Sequence, residues 1–125
     1  MSRADFKEWI VLANHDIDTV DLLINQKGHA DIIIYHIHQA IEKLLKALLI
    51  KADITFDKTH FLDKLLARAI GVFPDLSKIE DDILSINLYL PKLRYPYGDE
   101  ISLLEAKDAN QKLIIIKNVL FKLLK

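Results

Sequence analysis

Residues 35–49 read YHIHQAIEKLLKALL, and this stretch decides the fold of the chain. Its isoleucines, leucines and alanines recur at the three- and four-residue steps of an α-helix and cover most of its circumference. One polar stripe interrupts them. At about 100° per residue its members lie within a quarter turn of one another. They are His36, Gln39, Lys43 and Lys46. We therefore predict a central helix with one polar face, suited to a cleft or to a polar interface.

The same periodicity continues on both sides of this stretch and predicts an all-α protein. No segment alternates convincingly with period two, so no strand is expected. The predicted helices cover residues 4–26, 30–52, 59–71, 77–91 and 102–125. Residues 1–125 should thus form a single domain, an up-down bundle of four to five helices.

Four of the predicted helix ends carry specific signals. Gly28 should close the first helix in the left-handed conformation, and the Thr59 side chain should cap the third. Residues 77–80 (SKIE) and 102–105 (SLLE) have the spacing of capping boxes, in which a serine and a glutamate satisfy free backbone amides.

Residues 92–99 read KLRYPYGD and should not form a regular helix. Pro96 disfavours helical backbone at Tyr95, and Gly98 adds a second break. The segment is expected to be an exposed aromatic loop.

Composition excludes several classes of function. A formal net charge of -1 provides no global field that would attract RNA or an anionic membrane. The chain has no cysteine, which rules out disulfides and thiolate chemistry and agrees with a cytoplasmic location. No apolar run approaches the ~18 residues that a membrane span needs, and the N-terminus lacks an apolar signal segment.

The five histidines do not have the spacing of a metal site. Helical metal pairs need steps of three or four residues, whereas His36 and His38 are two apart and face different directions. Asp57 and His60 are three apart but are read as loop and cap residues. Glycine-rich phosphate loops and serine nucleophile elbows are also missing. We predict no metal, no cofactor and no catalytic residue.

Four motifs, in their order and spacing, resemble the HEPN domains (higher eukaryotes and prokaryotes nucleotide-binding). The matching positions are Trp9, Ala13 and Asp16; residues 35–47; His60, Leu62 and Leu65; and Arg94-Tyr95-Pro96. The resemblance implies a helical bundle that forms a homodimer and works with a small nucleotidyltransferase in a toxin-antitoxin-like pair. The all-round apolar surface of the second helix also favours a dimer.

Some HEPN members are metal-independent ribonucleases that carry an R-x4-6-H motif. This chain departs from that pattern, because no histidine follows Arg3, Arg68 or Arg94 at the required distance. The ribonuclease role is therefore not carried over.

We interpret the chain as a nucleotide-binding or partner-binding subunit rather than an enzyme. The predicted binding residues are His36, Gln39, Lys43, Lys46, Arg94 and Tyr95. Together they offer positive charge, an amide and a stacking ring, which suits a phosphate and a base. Glu42, four residues before Lys46, could pair with it instead. The alternatives are a ribonuclease toxin and a purely structural interaction module whose polar stripe is a buried network or a dimer interface.

Overall fold

Six α-helices make up most of the computed structural model, which describes residues 5–96 and 98–125. They are α1 (Phe6–Asn25), α2 (Ala30–Lys51), α3 (Leu62–Ile70), α4 (Glu80–Asn87), α5 (Leu90–Arg94) and α6 (Leu103–Leu123), with a 3₁₀ helix at Pro74–Ile79. No strand occurs among these residues, so the predicted all-α bundle is confirmed. Arg3 and positions 4 and 97 of the predicted segments lie outside the described residues.

Helix α2 is the centre of the bundle and packs against α1, α3, α4, α5 and α6. Its apolar side chains, Ile33, Ile37, Leu44 and Leu48 among them, are fully buried by helices of the same chain. The predicted central position is thus confirmed. Because the chain covers these buried residues itself, they give no separate reason to expect a second subunit.

Helices α1 and α2 run antiparallel, since Asp16 bonds to His36 while Trp9 lies beside Lys46. The carboxyl ends of α2 and α6 lie together, because the Lys51 ammonium donates a hydrogen bond to the carbonyl oxygen of Lys125. The two longest helices, α2 and α6, thus end at the same end of the bundle.

The turn that closes α1 places Lys27, not Gly28, in the left-handed conformation, with φ of 54°. Its N–H donates to Ile24 O at 3.2 Å, and the Gly28 N–H donates to Leu23 O at 2.7 Å. These two bonds form a Schellman motif. The prediction for Gly28 was therefore wrong. Glycine suits this position because a Cβ would lie 2.9 Å from Leu23 Cδ2.

Helix α3 begins at Leu62, and its first amide is capped from another helix. The Leu62 N–H donates to Asn87 Oδ1 at 2.9 Å, whereas Thr59 Oγ1 accepts from the Phe61 N–H just outside the helix. The prediction that Thr59 caps α3 was wrong. The cap from Asn87 ties α3 to the end of α4 and so fixes the segment that carries His60.

One of the two predicted capping boxes exists. Ser102 and Glu105 satisfy each other's backbone amides at the start of α6. Residues 77–80 form no box, because the 3₁₀ helix Pro74–Ile79 runs directly into α4 and leaves no free amino end there.

The helix predicted for residues 77–91 is divided into α4 and α5, and α5 continues to Arg94. The prediction that residues 92–94 are not helical was therefore wrong. Tyr95 is extended, with φ of -132° and ψ of 140°, as the following Pro96 requires. The short helix α5 thus presents Arg94 at its last position.

Candidate functional site

The polar stripe of α2 is divided between two carboxylates. The first is Asp16 of α1, whose side chain is only 9% exposed. It accepts a hydrogen bond from His36 Nδ1 at 2.8 Å and from Lys43 Nζ at 2.6 Å. The charge of Lys43 is therefore neutralised at the seam between α1 and α2.

The second carboxylate is Glu42 of α2, which is also buried. Its Oε2 accepts from Lys46 Nζ at 3.0 Å, which confirms the predicted pairing of these two residues. Its Oε1 lies 3.2 Å from His60 Nδ1. The Lys46 ammonium also lies over the Trp9 ring, 5.4 Å from its centroid, so α1, α2 and the segment before α3 meet here.

His38 is buried next to this second carboxylate, and it points away from His36, as predicted. Its Nδ1 is 3.9 Å from Glu42 Oε1, and its Nε2 has no hydrogen-bond partner among the described residues. Burial lowers the pKa of His38 to about 4; the Glu42 carboxylate opposes this shift, while His60, Arg94 and Lys46 add to it. His38 is therefore a neutral imidazole at physiological pH.

Two cavities adjoin beside these groups. The first, of about 250 Å³, lies between the outer face of α2 and α5 and is lined by Tyr35, His38, Gln39, His60 and Arg94 together with leucines of α5. The second, of about 360 Å³, shares His60, Leu90 and Arg94 with the first. Its remaining wall is largely apolar and comprises Phe61, Pro91 and Tyr95. One wall of the combined space is thus polar and the other aromatic.

A family model of the HEPN domain matches residues 6–123, which is nearly the whole chain. The chain belongs to the HEPN domain family. No curated protein and no solved structure matches it. Membership places this HEPN domain among domains of nucleotide-binding or ribonuclease type.

The structure brings together only part of the predicted binding residues. In this HEPN domain Gln39 and Arg94 line the first cavity, and Arg94 and Tyr95 line the second. The other three predicted residues do not line either cavity, because each is held by a carboxylate. They are His36 and Lys43 at Asp16, and Lys46 at Glu42.

His60 lines both cavities, although the sequence did not single it out as a binding residue. The available signal was its place in the H-x-L-x-x-L step of the HEPN pattern. Its position depends on the contact with Glu42, which is 18 residues earlier in the chain.

Arg94 stands at the junction of the two cavities and is exposed. Within residues 5–96 and 98–125 the Arg94 side chain makes no hydrogen bond and no ion pair.

The described residues contain no group of three histidine, aspartate or glutamate side chains placed to hold a metal ion. None of the described helices is long and apolar enough to cross a bilayer.

Proposed function

We propose that this HEPN domain binds a nucleotide in the two adjoining cavities, with a phosphate group at Arg94. The observation that carries this proposal is the guanidinium of Arg94, which lies on the shared wall and has no partner among the described residues. A guanidinium presents a planar fork of donors that matches phosphate oxygens, so it is suited to this ligand.

The charge around the cavities supports an anionic ligand. No aspartate or glutamate lines either cavity in the part of the chain that the structure describes. The nearest carboxylate, Glu42, is already paired with Lys46 and contacts His60. Arg94 therefore contributes positive charge that no neighbouring carboxylate neutralises.

The aromatic wall supports a planar group next to the phosphate. Phe61 is 47% exposed and Tyr95 is 58% exposed, and both residues line the second cavity. The Lys64 ammonium lies over the Phe61 ring, 4.9 Å from its centroid, and adds a positive charge beside it. Base–aromatic stacking typically contributes about 1–3 kcal/mol and accepts any base. Small-ligand sites commonly enclose roughly 300–1,000 Å³, and the two cavities together fall in this range.

In this proposal the six predicted residues have two different roles. Gln39, Arg94 and Tyr95 contact the nucleotide. His36 and Lys43 hold α2 against α1 through Asp16. Lys46 pairs with Glu42 of its own helix and lies over the Trp9 ring of α1.

Replacing Arg94 with alanine should weaken binding of AMP by about tenfold to a hundredfold, because a charge-assisted contact contributes roughly 1.5–3 kcal/mol. The melting temperature should stay nearly the same, since the Arg94 side chain is exposed and makes no hydrogen bond or ion pair with the described residues. Titration calorimetry with AMP and ATP and a thermal unfolding curve measure both effects.

The matched control for this experiment is Lys107→Ala, which removes one exposed positive charge from α6. It should leave AMP affinity unchanged. A wild-type protein that binds neither AMP nor ATP would contradict the proposal and would favour a purely structural interaction module.

We further propose that the protein forms a homodimer and serves as the partner-binding subunit of a small nucleotidyltransferase in a toxin-antitoxin-like pair. Family membership supports both parts. The outer faces of α1 and α2 also carry apolar side chains that the chain leaves exposed. They are Val11, Leu12, Leu22, Ile32 and Tyr35. Such side chains are suited to contact with another subunit.

One observation favours a second candidate, the metal-independent ribonuclease. His60 and Arg94 line the same cavities even though they do not form an R-x4-6-H motif. We still expect no cleavage of single-stranded RNA, because the motif histidine is absent and general acid–base catalysis typically contributes about 10²–10⁴ in rate. Incubation of pure protein with labelled RNA tests this. Cleavage that disappears in Arg94→Ala would establish the second candidate.

A further inference from the structure

The Glu42 carboxylate fixes the direction in which His60 presents its imidazole. His60 Nδ1 lies 3.2 Å from Oε1 and 3.3 Å from Oε2 of Glu42. The two nitrogens of an imidazole lie on opposite sides of the ring, so Nε2 is directed away from Glu42. The His60 side chain is 54% exposed, and the residue lines both cavities.

Glu42 is itself held in place. Its side chain is only 4% exposed, and Oε2 accepts a hydrogen bond from Lys46 Nζ, which packs over the Trp9 ring. A carboxylate with a charged partner on one side and an imidazole on the other has little freedom to rotate. The orientation of His60 is therefore prepared before any ligand arrives.

His60 and Arg94 reach the same space from different parts of the chain. His60 precedes α3, whose first amide is capped by Asn87, whereas Arg94 ends α5. Both residues line the first cavity together with the buried His38. Two side chains that carry ring or guanidinium nitrogens thus border one space.

We propose that His60, oriented by Glu42, is the second ligand of a terminal phosphate group, and that the site takes a phosphate monoester such as a nucleoside monophosphate. This inference rests on the proposed nucleotide site. A terminal phosphate has three free oxygens, so a bidentate guanidinium can take two of them. The third can accept a hydrogen bond from Nε2–H of His60 when the ring carries both protons, with Nδ1–H donating to Glu42. Glu42 acts through His60 and is a positioning residue.

The variant His60→Asn distinguishes phosphate binding by His60 from a purely structural contact with Glu42. The asparagine amide takes the place of Nδ1, so the contact with Glu42 is kept, but Nε2 is lost. We expect this variant to melt like the wild type, to bind AMP at least about tenfold more weakly and to bind adenosine unchanged. His60→Gln, whose amide nitrogen comes near the place of Nε2, should recover part of the AMP affinity.

A spectroscopic measurement adds a direct readout. The ¹⁵N resonances of the His60 ring should shift on addition of AMP and stay in place on addition of adenosine. His15, exposed on α1, is the internal control and should not respond to either compound.

The outcomes separate this inference from the nucleotide site itself. If Arg94→Ala weakens AMP binding but His60→Asn does not, the role of His60 is overturned and the nucleotide site remains. If His60→Asn lowers the melting temperature and weakens AMP and adenosine equally, His60 is structural and the inference is also overturned. A wild-type protein without affinity for AMP would overturn both.

Discussion

Replacing Glu42 with alanine is expected to lower the free energy of unfolding by about 3–5 kcal/mol, which is the usual cost of breaking one side of a buried ion pair. The substitution leaves the Lys46 ammonium, which is 6% exposed, without its counter-charge. For a domain of this size such a loss corresponds to a melting temperature lower by on the order of 10–20 °C. Urea denaturation and calorimetry measure both quantities.

The chain offers a matched control on another helix. Asp108 and Lys112 in α6 are also an acidic and a basic residue four positions apart, with Nζ 3.5 Å from Oδ2, but the Asp108 side chain is 70% exposed. Exposed pairs of this kind contribute about 0–1 kcal/mol, so Asp108→Ala should have a small effect. Equal losses in Glu42→Ala and Asp108→Ala would contradict the assignment of a buried pair.

The double variant Glu42→Leu, Lys46→Met tests the origin of the loss. If the cost comes from an uncompensated charge, removing both charges should recover most of the stability that the single variant loses. If the double variant is as unstable as Glu42→Ala, the uncompensated charge is not the cause, and the lost contact with His60, which both variants share, explains the cost instead.

The sequence predicted the helices well because each buries an apolar face whose period appears in one short window. Their ends were predicted less reliably, because an end depends on geometry that residue type does not determine. Lys27 occupies the left-handed position beside Gly28, and Asn87 caps an amide of Leu62 that is 25 residues away in the chain. The Ser102 box succeeded because both of its partners are local.

The difference between local and distant partners also explains how much of the candidate site could be predicted from the sequence. A helical projection orders residues around α2, but it does not show which residues of other helices meet them. Asp16, 20 residues before His36, holds His36 and Lys43 at the seam with α1. Arg94 came from a local motif and could be named in advance, whereas the place of His60 depends on packing across the bundle.

The second large effect that we predict is a loss of stability in mild acid. Its cause is His38, the buried histidine of α2. The pKa of His38 is about 4 in the folded protein, against the ordinary value of 6.5 that applies to the unfolded chain. Burial is the main cause. Glu42 opposes it, while His60, Arg94 and Lys46 act with it. Folding must therefore keep the imidazole of His38 neutral.

The sign of the pH dependence follows from which state binds more protons. Between pH 6.5 and about pH 4 the unfolded chain holds a proton on His38 and the folded protein does not, so acid favours unfolding. The contribution of His38 is fully retained above pH 6.5 and is lost as the pH falls towards 4. The two pKa values correspond to a maximum loss of about 3 kcal/mol.

Replacing His38 with glutamine removes this titration and should flatten the pH dependence of stability in that window. Urea denaturation at about pH 7.5 and about pH 4.5 gives the loss in each protein, and we expect the variant to lose roughly 2–3 kcal/mol less than the wild type. Any carboxylate that titrates over the same range does so in both proteins and cancels in the difference. An equal loss in the two proteins would mean that His38 binds its proton equally well in the folded and unfolded states, which its burial without a partner for Nε2 argues against.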